Sequence, residues 1–149
     1  MKDLISDVIS PDSFIIESYL LGWEMIYEVE RNGKQSPNFK TLIEQSKTLK
    51  ASYMARNLYW SKNLKIKELR DAMIKDSFIP ARKFYSVFDN KLVVELKKGN
   101  VDLAKKTMNV VLTSLFQKHR RTIDKVVLKA DSKTIEIESE MALQLVKSH

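Results

Sequence analysis

Apolar residues recur at helical spacing over most of this chain. Ile15, Tyr19, Trp23 and Ile26 fall four, four and three apart, with Phe14 and Tyr27 beside them, and predict a first helix. Ser10-Pro11-Asp12 reads as its start: a capping serine, a proline at the first helical position, and an acid near the positive end of the dipole. Asn32-Gly33 closes it with residues that tolerate a left-handed backbone. Gly22 sits inside this helix at a cost of about 1 kcal/mol against alanine, so a closely packed neighbouring helix is expected there. Ser36-Pro37-Asn38 opens a second helix to about Ser61, and Leu42, Leu49, Tyr53 and Trp60 give it a seam for one partner helix.

A third helix is predicted over Leu64 to Lys75, with Ile66, Leu69, Met73 and Ile74 inward. Pro80 then predicts a break, because proline lacks a donor and biases Ile79 away from helix. Residues 81–98 read two ways. As a helix, Ala81, Phe84, Phe88, Leu92 and Leu96 form a stripe; as a hairpin, Lys83–Phe88 and Lys91–Lys97 flank an Asp89-Asn90 turn. The spacing, with Pro80 at a first helical position, favours the helix. Gly99-Asn100 ends that element, and Asn100 is expected to cap the next. There Val101, Ala104, Met108, Val111, Leu112 and Leu115 share a narrow arc, with Lys105, Lys106, Asn109, Thr113 and Arg120 opposite. Lys118-His119-Arg120-Arg121 is expected to end this helix, its cations matching the negative end of the dipole.

Beyond Thr122 the pattern alternates. Val126-Val127-Leu128 and Ile135-Glu136-Ile137-Glu138 flank Ala130-Asp131-Ser132-Lys133, which predicts a hairpin over about 123–138. The residues from Glu140 onward favour a short closing helix. The fold class expected is mainly α: a compact bundle of about five helices with a small β-hairpin near the C-terminus. The 149 residues, without repeat or linker, are expected to form a single helical domain over 1–149. Only three glycines and three prolines fit long helices.

Charge adds what the periodicity cannot. Residues 1–30 carry seven acids and one base, net −6; residues 31–129 carry 23 bases and eight acids, net +15; the last 20 carry two bases and four acids, net −2. The basic balance is densest from Arg31 to Lys67, where Glu44 is the one acid and Phe39, Tyr53, Tyr59 and Trp60 are interleaved. Cations on long stems with flat rings between them suit a surface that holds phosphates and stacks on bases. The same residues also fit a solvated lysine face over a buried aromatic core. On the second helix Lys40, Lys47 and Lys62 lie opposite the apolar seam, with Lys50 and Arg56 at its flanks. The candidate nucleic-acid-binding residues are these five with Lys65, Lys67, Lys105, Lys106, Arg120 and Arg121.

Enzyme chemistry finds no motif. The glycines are isolated, so no phosphate loop forms, and His119 and His149 leave no nucleophile–base pair. No catalytic residue, cofactor or metal site is expected; with no cysteine there is no thiolate site. Glu136, Glu138 and Glu140 would share one face of a strand, where a solvated face is the simpler reading than a cation site. With no signal peptide at the N-terminus and no apolar run of membrane length, a cytoplasmic protein without membrane contact is expected.

Two binding roles remain. One is a non-catalytic subunit of a ribonucleoprotein, contacting the phosphate backbone independently of sequence and packing against other subunits or further copies of itself. The other is a winged helix-turn-helix DNA regulator, with Ile66–Met73 as the first helix, a turn over Lys75 to Ile79, and residues 80–90 reading the groove. The chain resembles, in architecture, the small helical subunits of CRISPR–Cas effector complexes of the Cascade type. Size, absence of cysteine, cationic helix faces at Lys40, Lys47, Lys62 and Lys105–Lys106, and a small β element late in the chain carry the resemblance. It implies a non-enzymatic subunit of an antiviral RNA-guided complex that stacks along it and touches the target or displaced strand through backbone charge.

Overall fold

The computed structural model describes residues 2–147, and side chains from residue 13 onward. Four long helices are joined by short connections. α1 spans Lys2–Asn32 and α2 spans Pro37–Asn63. α3 covers residues 67–97 without a break, and α4 covers residues 101–147. Three π-helical stretches interrupt the α geometry: Ala72–Ser77 and Phe88–Leu92 in α3, and Thr107–Leu112 in α4.

The connections follow the expected local chemistry in two places. Gly33 and Gly99 adopt φ of 85° and 79°, the left-handed values that let the chain leave α1 and α3. Ser36 caps α2, its hydroxyl oxygen accepting the Asn38 amide at 3.2 Å with Pro37 at the first position. Asn100, by contrast, makes no side-chain capping bond to α4.

Three of the expected boundaries are corrected, and one open choice is decided. α1 begins at Lys2, so its backbone is already helical at Ser10-Pro11. Pro80 does not break α3. The π stretch just before it widens the helix, the Phe78 amide bonds the Lys75 carbonyl, and the Ser77 hydroxyl donates to the Met73 carbonyl, so the ring is accommodated within a continuous helix. Residues 81–97 are helical, with Ala81, Phe84, Phe88, Leu92 and Leu96 all buried as the helical stripe required. The hairpin at about 123–138 does not form: Thr113–Lys147 is a single helix, and no strand occurs among the described residues. The supposed turn Ala130-Asp131-Ser132-Lys133 has no glycine or asparagine to take the positive φ of a tight hairpin. Ile123, Val126 and Ala130, three and four apart, are instead buried on one helix face. A bundle of four helices results, because the expected third and fourth elements are one.

The main core draws on all four helices, with Ile15, Met25, Phe39, Tyr53, Phe84, Phe88, Leu96, Met108 and Leu112 at its centre. α1 is tightly packed at Gly22, where an added Cβ would lie 2.9 Å from Met108 Sδ and 3.1 Å from the Phe88 ring. Phe88 and Met108 both belong to π stretches, so the close approach expected of Gly22 falls where both facing helices are locally widened. A hydroxyl chain steadies the second of them: Tyr19 Oη lies 2.8 Å from Thr113 Oγ1, which donates to the Met108 carbonyl at 2.8 Å. A second, smaller core joins Leu64, Leu69 and Met73 to Ile123, Val126 and Ala130, with Trp60 packed against it. Past Ala130, α4 leaves the bundle, and residues 135–147 are all exposed.

Candidate nucleic-acid interface

On α2 the seam and the cations separate as the spacing requires. Leu42 and Tyr53 are buried and Leu49 and Trp60 partly so, while Lys40, Lys47 and Lys62 are exposed. The rings among those cations are mostly core. Phe39 and Tyr53 belong to the main cluster and Trp60 to the smaller one, leaving Tyr59 half exposed with its ring edge-on to Trp60. Arg56 lines a shallow pocket with Phe14, Ser52, Ala55 and Tyr59. Lys65 and Lys67 are exposed at the connection into α3.

Several candidate cations already face a carboxylate. Lys50 Nζ lies 2.7 Å from Asp89 across α2 and α3, and Lys47 lies 3.4 Å from Glu44 one turn away. Lys105 Nζ lies 2.6 Å from Glu30, so an acid of α1 docks on a basic neighbour. That hydrogen bond, with the Glu30 charge behind it, raises the Lys105 pKa above the ordinary lysine value. Lys106 and Arg120 are exposed. Of the eleven candidates, Lys47, Lys50 and Lys105 are thus already paired with carboxylates.

Arg121 does join a cluster. Between α3 and α4 lies a groove of about 540 Å³ lined by Lys83, Lys118, Arg121 and Lys125, with Ile79, Pro80 and Leu115 as its apolar part and Asp76 as its one acid. Among the described residues none of these four cations has an ion-pair partner, unlike Lys47, Lys50 and Lys105. Lys118, Arg121 and Lys125 sit at i, i+3 and i+7 of α4 and so share one side of it. Pro80 and Ile79 mark where α3 forms the opposite wall, directly after the first π stretch.

Sequence reasoning assigned Lys118 to a helix end and did not select Lys83 or Lys125. Because α4 continues to Lys147, the cations at 118–121 are mid-helix and have no helix end to neutralise. Their i, i+3, i+7 spacing was the available signal, hidden by the hairpin expected from residue 123. His119, between them in sequence, points the other way: it is fully buried, with the Tyr53 ring edge-on at 5.9 Å.

Other chemistry gains no support from the geometry. Glu136, Glu138 and Glu140 are on a helix, where Glu138 lies off the face that Glu136 and Glu140 share at i and i+4, and no group of three potential metal ligands occurs among the described residues. The turn expected at Lys75 to Ile79 is helical, so residues 80–90 are not a separate recognition helix. No helix among the described residues is long and apolar enough to cross a membrane. Burial pushes the Tyr85 phenol up, and its hydroxyl lies 3.1 Å from Ser18 Oγ in the core. Compared with known protein families, curated proteins and solved structures, the chain matches none.

Proposed function

We propose that this chain is a non-catalytic nucleic-acid-binding protein that holds the phosphate backbone in the groove between α3 and α4, without reading sequence. One observation carries the reading: Lys83, Lys118, Arg121 and Lys125 line one groove with no ion-pair partner among the described residues. Four such cations repel one another when the groove is empty and gain by counterion release when phosphates enter. The net +15 of residues 31–129 would add long-range attraction for a polyanion. Exposed Lys40, Lys62, Lys65, Lys67, Lys106 and Arg120 extend the field around the groove rather than build the contact.

A place as a cytoplasmic ribonucleoprotein subunit, of the kind found in CRISPR effectors, fits this role. Helical content and cationic faces support it, while the late β element that formed part of the resemblance is helix here. The test is a salt titration of binding to short nucleic acids of unrelated sequence. With about four phosphate contacts the log–log slope should be about −3 to −4, equal across sequences, and reduced in Lys118→Glu/Arg121→Glu/Lys125→Glu. A flat titration overturns the proposal.

A further inference from the structure

The last turns of α4 extend past the bundle with their apolar side chains exposed. Residues 135–147 are exposed throughout, an overhang of about 20 Å at 1.5 Å per residue. It is not a polar tail. Ile137, Met141 and Leu145 recur every four residues at 41%, 59% and 64% exposure, prolonging the row that Ile123, Val126 and Ala130 bury lower on the same helix. At 100° per residue Glu138 and Glu140 flank that row on either side. The segment carries three acids, Glu136, Glu138 and Glu140, against Lys147, net −2.

A surface of complementary character exists on the same molecule. In the α3–α4 groove Ile79 is 66% exposed beside Pro80 and Leu115, and the surrounding cations are Lys83, Lys118, Arg121 and Lys125. We propose that the overhang of one copy docks in the α3–α4 groove of a second copy. Ile137 and Met141 would cover Ile79 and Pro80, over the buried Leu115, while Glu138 and Glu140 meet the groove cations, a helix-in-groove contact. The overhang cannot reach its own groove, because both lie on the one continuous helix α4. Pairing of two overhangs would bring together two segments of net −2, which their charge opposes. The contact is heterologous, so each copy uses a different surface from its partner. It does not depend on the groove taking nucleic acid, although phosphates and a neighbouring overhang would compete for the same cations.

The test is sedimentation of the full chain, freed of nucleic acid, over a range of protein and salt concentrations. Self-association should appear and weaken as salt rises. It should fall at least tenfold in Ile137→Ser/Met141→Ser/Leu145→Ser and equally in Lys118→Glu/Lys125→Glu, with the helical circular dichroism of both retained because all five positions are at the surface or half exposed. A charge exchange gives the decisive result. Glu138→Lys/Glu140→Lys and Lys118→Glu/Lys125→Glu should each be monomeric alone and associate when mixed, since each supplies the charge the other needs. A chain monomeric at every concentration overturns the proposal and leaves the overhang to a different protein. Association that survives the groove reversal but not the overhang substitutions also overturns it, in favour of overhang pairing.

Discussion

Thr107 donates its hydroxyl proton to the buried carboxylate of Glu95, 2.7 Å from one oxygen and 3.0 Å from the other. The pair ties the end of α3 to the start of the π stretch in α4, on either side of the 98–100 connection. Thr107→Val keeps the shape and removes the donor, so a carboxylate stays buried without it. Unfolding in urea should show a loss of about 1.5–3 kcal/mol. Replacing both partners, as Thr107→Val with Glu95→Met, should cost less than the two single changes together, because the stranded charge is gone. Additive losses would show that Glu95 is satisfied by something other than Thr107.

Gly22→Ala sets helix propensity against packing. Alanine gains about 1 kcal/mol of propensity. Its Cβ, however, would fall 2.9 Å from Met108 Sδ and 3.1 Å from the Phe88 ring, both side chains fully or nearly fully buried. Overpacking of a filled core costs about 1–3 kcal/mol, so the melting temperature should fall slightly for alanine and far more for Gly22→Val. An increase with valine would mean that α1 does not approach α3 and α4 this closely.

The uneven success of sequence reasoning has a physical pattern. Periodicity located the buried faces well, as with Ala81–Leu96 and Val101–Leu115, because burial depends on which residues share a face. It failed on where helices stop. Pro80 and the Val126-Val127-Leu128 run are local breaking signals, and tertiary packing overrode both: the π stretch takes up the proline, and the smaller core takes up Ile123, Val126 and Ala130. The groove was missed for the same reason, since a helix ended at Arg121 accounts for its cations without a ligand. The acidic first helix suggests docking on a basic neighbour, but not which carboxylate meets which lysine, because Asp89 and Glu30 are distant in sequence from Lys50 and Lys105.

The α1–α2 connection should be acid-sensitive. Glu28 Oε1 accepts from the Ser36 hydroxyl at 2.7 Å and from Asn32 Nδ2 at 2.8 Å. Those bonds, Ser36 first, hold its carboxyl below the ordinary glutamate value of 4.5. A lowered folded-state pKa gives stability that is present above that value and is lost as pH falls through the folded one. Thermal unfolding should therefore lose a small contribution below about pH 4.5, and Ser36→Ala should remove most of that contribution. Ser36→Ala should also cost about 1 kcal/mol at neutral pH through the lost cap of α2. An unchanged acid profile in Ser36→Ala would assign the lowered pKa to Asn32.

Two charge reversals distinguish a phosphate groove from a generally basic surface. Lys118→Glu/Arg121→Glu/Lys125→Glu and Lys40→Glu/Lys47→Glu/Lys62→Glu each change the net charge by the same amount, and the substituted side chains lie at the surface. Exposed charge changes shift stability by about 0.5 kcal/mol or less each, so both variants should fold. Long-range attraction should weaken equally in the two. The groove variant alone turns clustered contacts into repulsion, so its nucleic-acid affinity at physiological salt should fall tenfold or more, and its salt slope should drop by about two to three. The α2 variant should lose only a few-fold, with a nearly unchanged slope, since Lys47 already faces Glu44 and Lys40 and Lys62 are not among the groove residues. Equal losses would make the binding a property of total charge and remove the groove's special role. A larger loss from the α2 variant would move the contact to α2, beside the half-exposed ring of Tyr59.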